Sequence, residues 1–459
     1  MIYRHWAVVS AFLMAGCQTY EQMPVDLGAH DRDWSSRNPS GMLVSEFAKE
    51  LGALNAAQSH RFDPADGFSL AESEIVALMF NPSLRTARLR ARVPLAGAGE
   101  AGRWEDPRID VDVLRVLESV DKPWVLGAAI GFTIPISGKL AVEKDKAIAE
   151  ADVEVYRAWL AELRLLADLR ETWAKRWVTS SRIIQIQAYL AQLHGIIPVA
   201  EQQRRLGKIG STAQRVFQIE KATRTAELTS LRAEEARLDL AIKALLGLKP
   251  DAPLRIEAAS GIATAVATTN ISPANHPRVL FSKAEYGVAE RALQLEVRRQ
   301  YPDLEIGPAY EFDEGVDKAG LALSLPLPIL NANRRAIAEA RAARDAAKAA
   351  IEEEYETITG EVAAARAAVA AASARRLALE SDVVPLVDQQ LEDLRKQADL
   401  GEFDSLIYLD ALTRSFEAKL QVLDAHLDEA TASNTLRSLI EPAIQTKTLN
   451  DLSTKGVQP

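Results

Sequence analysis

The sequence contains two copies of one unit of almost two hundred residues. Four short patterns recur in the same order in each copy, at spacings of 193 to 195 residues. They are Asn81-Pro82 with His276-Pro277, Asp106-Pro107 with Tyr301-Pro302, Ile134-Pro135-Ile136 with Leu327-Pro328-Ile329, and Leu206-Gly207 and Ser211 with Leu400-Gly401 and Ser405. Because self-similarity at one period marks a repeated structural unit, we expect both copies to share one architecture.

Each unit contains two segments in which apolar residues alternate with charged or small ones. Ile109, Val111 and Val113, for example, alternate with Asp110 and Asp112. This period of two predicts strands with one apolar face, at about 108–116, 124–134, 304–312 and 320–327. Each predicted strand is near the length of about 9–11 residues that a tilted strand needs to cross a bilayer. Lipid on the apolar face and water on the other is the pattern of a transmembrane barrel wall.

Four strands cannot close a barrel, because the smallest known barrels have eight. An open edge in lipid would leave backbone groups unpaired, at several kcal/mol each. We therefore expect several chains to contribute to one barrel, and three chains would supply twelve strands. The alternative is two soluble hairpins that cover a helical body.

A very long helical stretch follows each strand pair. Residues 334–399 contain only Gly360 and Pro385 as interruptions, and 139–205 are the counterpart in the first unit. At 1.5 Å per residue, each helix would extend about 100 Å. No single globular domain buries such a helix, so we expect it to pack against other long helices, and a coiled-coil rod is the simplest alternative. Shorter helices are predicted before the strands, at about 70–102 and 282–299.

The N-terminus has the layout of a bacterial export signal. Arg4 precedes an apolar run that is too short to span a bilayer, and Leu13-Met14-Ala15-Gly16-Cys17 follows it. This ending resembles a lipoprotein signal, which implies a signal peptide over residues 1–16 and lipidation of Cys17. Gln18 after the cysteine implies sorting to the outer membrane. The alternative is an ordinary signal peptide with an incidental thiol. Residues 17–68 then form a polar arm in which one helix is predicted, near 42–54.

Composition excludes several classes of function. The net charge of −10 argues against a nucleic-acid binder. One cysteine and six scattered histidines favour no metal site. The glycines of 97–102 lie between a predicted helix and a predicted strand, whereas a dinucleotide site needs the reverse order, and no phosphate-binding Gly-Lys-Ser or Gly-Lys-Thr loop is present. We therefore predict no cofactor and no enzymatic activity.

The order and duplication of these features resemble the outer membrane efflux proteins typified by TolC. The resemblance covers about 70–441, and it divides the chain into a first repeat (69–250), a linker (251–275), a second repeat (276–442) and a polar tail (443–459). It implies a homotrimer whose twelve strands form an outer-membrane barrel and whose helices form a periplasmic tunnel. It also implies a periplasmic adaptor and an inner-membrane pump as partners. The strand ending at 327–334 resembles that of members that serve resistance-nodulation-division pumps, including heavy-metal exporters.

The same resemblance assigns roles to two turns and to one acidic residue. The turns are predicted to be the periplasmic tips that dock the adaptor: Leu206, Gly207, Lys208 and Ser211 in the first repeat, and Leu400, Gly401, Glu402 and Ser405 in the second. A purely structural role in closing the helical hairpins is the alternative. In either case the glycines can adopt a positive φ and the serines are expected to cap the next helices. Asp410 falls where the family can carry an acidic ring at the tunnel entrance, although Ile407 replaces a second aspartate and a solvated Asp410 is the alternative.

These interpretations together predict a mainly helical fold with a small β part. The predicted function is that of a passive trimeric exit duct across the periplasm and outer membrane, anchored by lipid. A lipid-anchored periplasmic coiled-coil scaffold without a pore is the alternative.

Overall fold

The computed structural model describes residues 20–54, 62–117, 123–257, 272–313, 316–399 and 404–440. The predicted signal peptide, Cys17 and the tail 443–459 lie outside these residues. The chain divides into two compact units, 1–39 and 40–459. The boundaries of the repeats stay predictions.

The first unit contains a helix that the sequence analysis missed, α1 (Leu27–Ser36). Its N-cap is Asp26, whose carboxylate accepts hydrogen bonds from the backbone N–H groups of Gly28 and Ala29 at 2.8 and 2.9 Å. None of its residues is buried, so no apolar periodicity revealed it. The aspartate was the available signal, because an N-cap aspartate satisfies N–H groups that the helix leaves unpaired.

The second unit presents helices, two strands and a long helical hairpin, and then repeats that order. The first copy follows α2 (Met42–Leu54) and consists of α3 (Leu70–Phe80), α4 (Pro82–Glu100), β1 (Arg108–Arg115), β2 (Trp124–Ile134), α5 (Lys139–Arg205) and α6 (Ser211–Leu245). The second consists of α7 (Pro277–Arg298), β3 (Leu304–Asp313), β4 (Val316–Ser324), α8 (Arg334–Ala378), α9 (Val384–Asp399) and α10 (Ser405–Ile440). The predicted mainly helical class is confirmed.

Strand β4 and helix α7 begin a few residues earlier than predicted, at Val316 and Pro277. Three further differences from the prediction lie beside prolines. The expected helix 70–102 is interrupted at Asn81, because the residue before a proline is disfavoured in helical geometry. Strand β4 ends at Ser324 and not near 327, since Pro326 and Pro328 have no N–H for a strand ladder. Between α8 and α9, a π-turn at Leu379–Val383 immediately precedes Pro385, which cannot donate the regular helical hydrogen bond.

The repeated pair Asn81 and His276 performs one structural task in both copies. The Asn81 amide caps α4 by accepting the N–H of Leu84 at 2.9 Å, and it donates to the carbonyl of Leu245 at the end of α6 at 2.8 Å. The His276 ring caps α7 through Nδ1, which accepts the N–H of Arg278 at 3.2 Å, and Nε2 lies 3.2 Å from the Ser438 carbonyl near the end of α10.

The geometry at His276 fixes the protonation of its ring. Because Nδ1 accepts a backbone N–H, the proton must be on Nε2, which donates to Ser438. Burial lowers the pKa of His276 and so favours this neutral form. Each of these joints ties the short helix before the strands to the last helix of its repeat.

Long helices pack side by side around three apolar clusters. Helix α5 contacts α4, α6, α7 and α10, and α8 contacts α7 and α10. One cluster joins α2 and α3 to α5 and α6, a second joins the α5–α6 and α9–α10 hairpins, and a third joins α7, α8 and α10. The prediction that the long helices lie against one another is confirmed.

Candidate functional site

The four strands form one antiparallel sheet in the order β1-β2-β3-β4. Strands β1 and β2 pair from Arg108 opposite Gly131 to Arg115 opposite Trp124, and β3 pairs with both β2 and β4. In the part of the chain that the structure describes, the outer edges of β1 and β4 have no strand partner. The sheet therefore carries two open rows of backbone hydrogen-bonding groups.

The register places apolar side chains on one face across all four strands, as the alternation predicted. Several of these residues have more than half of their surface exposed, including Ile109 at 66% and Leu323 at 67%. The face comprises Ile109, Val111, Val113, Leu126, Ile130, Phe132, Ile306, Phe312, Leu321 and Leu323. An exposed apolar surface that is continuous over four strands indicates contact with lipid or protein.

The two charged residues on this face lie at its end farther from the helices. The Arg115 guanidinium lies 5.6 Å from the centre of the Trp124 ring, and Asp317 accepts a hydrogen bond from the Tyr310 hydroxyl. Aromatic rings with a polar partner are typical of the boundary between lipid and water.

The opposite face of the sheet carries charged and small residues. Arg108 and Glu305 form an ion pair at 2.7 Å, and Lys318 contacts Glu311 at 3.0 Å. The remaining positions are mostly aspartate, glycine, alanine, threonine or serine, with Leu114, Val125 and Val316 at the end farther from the helices. A face of this composition suits water, so the two faces of the sheet require different surroundings.

An ion-pair cluster joins the sheet to the helices. The Lys139 ammonium, at the start of α5, contacts Asp303 at 2.5 Å and Glu105 at 3.3 Å. The hydrogen bond to Asp303 raises the pKa of Lys139, although burial opposes the change. The charged form of Lys139 therefore holds the first residue of α5 against the segments that lead into β1 and β3.

The first predicted docking turn is a glycine-terminated helix end. Gly207 has a positive φ of 71°, and the N–H of Lys208 donates to the Gln203 carbonyl at 2.8 Å. This is the hydrogen bond of a Schellman motif, in which glycine adopts the left-handed conformation at little cost. Helix α6 then begins at Ser211 after Gly210, and no side chain caps it.

The two serines of the predicted turns do not cap the following helices, contrary to the sequence-based expectation. Ser211 is the first residue inside α6. The carboxylate of Asp404 accepts the N–H groups of Leu406 and Ile407 at the start of α10, so that Ser405 is not needed for this purpose. The buried Ser405 hydroxyl instead donates to the Gln203 side chain at 2.6 Å.

The Ser405 hydrogen bond brings the start of α10 beside the end of α5, so the ends of the two helical hairpins lie together. Leu206 and Lys208 are exposed there. The remaining tip residues of the second repeat, Leu400, Gly401 and Glu402, lie outside the described residues. Adaptor docking by these turns stays a prediction.

Asp410 lies on an exposed face of α10. Its carboxylate forms an ion pair with Arg414, one helical turn away, at 2.9 Å. Ile407 is 52% exposed near it. The monomer thus shows a solvated, paired aspartate, and its role in an entrance ring stays a prediction.

A polar cluster that sequence reasoning missed links three helices near the turns. The buried Tyr189 hydroxyl donates to Glu220 at 2.9 Å and lies 3.0 Å from the Thr413 hydroxyl. Arg224 donates to Glu220 at 2.8 Å, and its guanidinium lies 4.8 Å from the centre of the Phe416 ring. Burial raises the pKa of Tyr189 to about 12. The spacing of Glu220 and Arg224 was the only visible signal, since it is that of a helical ion pair.

Among the described residues, no group of three or more histidine, cysteine, aspartate or glutamate side chains could hold a metal ion. The expectation that the protein needs no metal stays a prediction.

The second repeat matches a protein-family model described as outer membrane efflux protein, over residues 274–440. The resemblance stated from the sequence is thus confirmed. No curated protein matches the chain by sequence.

Solved structures share the fold of most of the chain. A membrane protein from Pseudomonas aeruginosa is 18% identical, with 84% of this chain and 92% of that chain covered and a TM-score of 0.72. The outer membrane protein VceC from Vibrio cholerae is 17% identical, with 82% and 97% covered and a TM-score of 0.67. The open state of the MtrE outer membrane channel from Neisseria gonorrhoeae is 16% identical, with 83% and 91% covered and a TM-score of 0.67. The helical hairpins and the small sheet therefore form the fold of these outer membrane proteins.

The two faces of β4 generate a prediction. Leu321 lies on the apolar face, opposite Pro308 in the middle of β3, and its neighbour Ala322 lies on the opposite face. If the apolar face contacts lipid, Leu321→Arg destabilises the assembled protein by about 2–4 kcal/mol per chain, because a cation near the bilayer midplane is costly. Ala322→Arg should be the milder change. Heat-resistant oligomer on semi-native gels measures both, and equal losses would show that the alternation does not reflect a lipid face.

Proposed function

We propose that the chain is the outer-membrane channel subunit of a tripartite efflux system, and that it acts as a passive exit duct. One observation carries the proposal: a sheet with an exposed apolar face and two open edges continues into helical hairpins of about 100 Å. The match of residues 274–440 to the outer membrane efflux protein model supports it. A periplasmic scaffold without a pore would leave the apolar face in water.

The duct is proposed to be a homotrimer in the outer membrane. Open strand edges are not tolerated in lipid, so copies of the chain must pair edge to edge. Two copies would close eight strands, but a barrel of eight is just wide enough for its own side chains to fill it. Three copies would form twelve strands and leave a wider interior. The charged and small residues of the second face would then line water.

The energy for transport is proposed to come from an inner-membrane pump of the resistance-nodulation-division type, connected by a periplasmic adaptor. The first turn, with Leu206, Gly207 and Lys208, and the second, with Gly401, Glu402 and Ser405, would dock that adaptor. Asp410 from three copies would form an anionic ring near the entrance. The cargo remains unassigned, since a wide aqueous duct has little selectivity of its own.

A pair of glycine variants in one turn tests this function. Gly207→Val forces a β-branched residue into positive φ, which costs about 1–3 kcal/mol in backbone strain. Gly210→Val is the matched control, because Gly210 has φ −78° and open space around a new Cβ atom. We expect Gly207→Val to retain oligomer assembly and conductance in planar bilayers but to lose adaptor cross-linking and export in cells. Gly210→Val should retain all four. Absence of any conductance in the native protein would contradict the duct, and full export by Gly207→Val would contradict the assignment of the turn.

A lipid anchor at Cys17 is a separate proposal, supported by the resemblance of residues 13–17 to a lipoprotein signal. Cys17→Ser should abolish incorporation of radioactive palmitate and impair signal processing. The folded barrel would still hold exported protein in the membrane. Unchanged labelling of the variant would refute the anchor.

A further inference from the structure

The two turns have opposite charge, although they occupy equivalent positions in the repeat. Residues 201–219 contain the four cations Arg204, Arg205, Lys208 and Arg215 and a single acidic residue. The equivalent residues 395–413 contain two cations and the four acidic residues Asp399, Glu402, Asp404 and Asp410. At the spacing of 194 residues that relates the two turns, Arg205 is replaced by Asp399 and Lys208 by Glu402.

The cations of the first turn are exposed, and they form no ion pair within the residues that the structure describes. Among the described acidic side chains, none lies within ion-pairing distance of Arg204, Arg205, Lys208 or Arg215. Elsewhere on α6 the contrast is clear, since Arg224 contacts both Glu220 and Glu227. Four like charges close together in the chain repel one another, so they favour an anionic partner from outside the chain.

By contrast, the two acidic side chains described near the second turn, Asp404 and Asp410, already have partners within the chain. The Asp404 carboxylate accepts two N–H groups at the start of α10, and Asp410 is paired with Arg414. The backbone of the first turn is fixed by its Schellman hydrogen bond, so Lys208 is held directly beside the end of α5. The first turn is therefore a preformed cationic surface.

We propose that the first turn, Arg204 to Arg215, binds a carboxylate-bearing segment of the adaptor, and that the equivalent part of the second turn does not. This inference rests on the proposed function and adds the chemistry of the partner. The partner then meets two unlike surfaces in each chain, so it must approach the two turns through different residues. Complementary charge of this kind mainly accelerates association and selects the partner.

The test uses the full-length protein in detergent and the purified adaptor encoded with it, with association measured by surface plasmon resonance. We expect R205E/K208E to lower the association rate about tenfold or more at low salt, and less at about 0.15 M salt, where the Debye length is about 8 Å. R205K/K208R keeps both charges and should resemble the native protein. R205Q/K208Q should lie between them, and it serves as the second variant because it introduces no acidic group at the end of a helix.

The matched control is Arg232→Glu, which reverses another exposed cation of α6 about 30 Å along the helix from Ser211. It should associate at the native rate. Conductance in planar bilayers shows that each variant still assembles.

Three outcomes would overturn the inference, and they differ in what else they remove. If R205E/K208E associates at the native rate while Gly207→Val no longer associates, the adaptor docks at the turn but does not present a carboxylate to it. Failure of the native protein to bind the adaptor would refute the proposed function as well. If R205E/K208E loses the native protein's binding to vesicles rich in phosphatidylglycerol but binds the adaptor as the native protein does, the cations bind lipid and not the adaptor.

Discussion

The backbone groups along the outer edges of β1 and β4 determine what this chain must do to be stable. Each edge presents N–H and C=O groups that find no partner within the sheet. In water such an edge invites aggregation, and in lipid each unpaired group costs several kcal/mol. The exposed apolar face adjoins these edges. Under the proposed function, lipid covers that face and assembly of identical copies supplies the missing strands.

The helices, unlike the sheet, are stabilised by contacts within the chain. Its long helices bury apolar residues against one another, and the Asn81 and His276 joints tie the short helices to the ends of their repeats. Lys139 then connects the start of α5 to the segments that lead into β1 and β3. The strands are thus positioned by a bundle that carries its own core, and the first turn is exposed at the other end of α5.

Periodicity predicted the long elements well because it reports an environment that is uniform over many residues. Strand β2 and helix α5 begin and end where the sequence analysis put them. Individual residues determined the boundaries and caps that periodicity did not predict. Proline interrupted the helix at Asn81 and shortened β4, Asp404 took the capping role expected of Ser405, and α1 had no apolar stripe to reveal it. The contact of Tyr189 with Glu220 and Thr413 joins three helices, so no local pattern contains it.

The duplication also predicts how neighbouring copies meet. Ala129 of β2 pairs with Ala309 of β3. Their repeat equivalents are Ala322 in β4, at a spacing of 193, and Leu114 in β1, at a spacing of 195. Applied between copies, the same pairing puts Ala322 opposite Leu114 of the neighbouring chain.

The decisive measurement is disulfide formation between these two edges, because opposed Cα atoms in an antiparallel pair lie about 4.5–5.5 Å apart, within reach of a disulfide. A chain with Leu114→Cys and Ala322→Cys should migrate as a covalent trimer on non-reducing gels and return to monomer with reductant. Leu114→Cys with Leu323→Cys places the thiols on opposite faces and should not cross-link. A double variant that stays monomeric, or that links only within one chain, would contradict closure of the sheet by three copies.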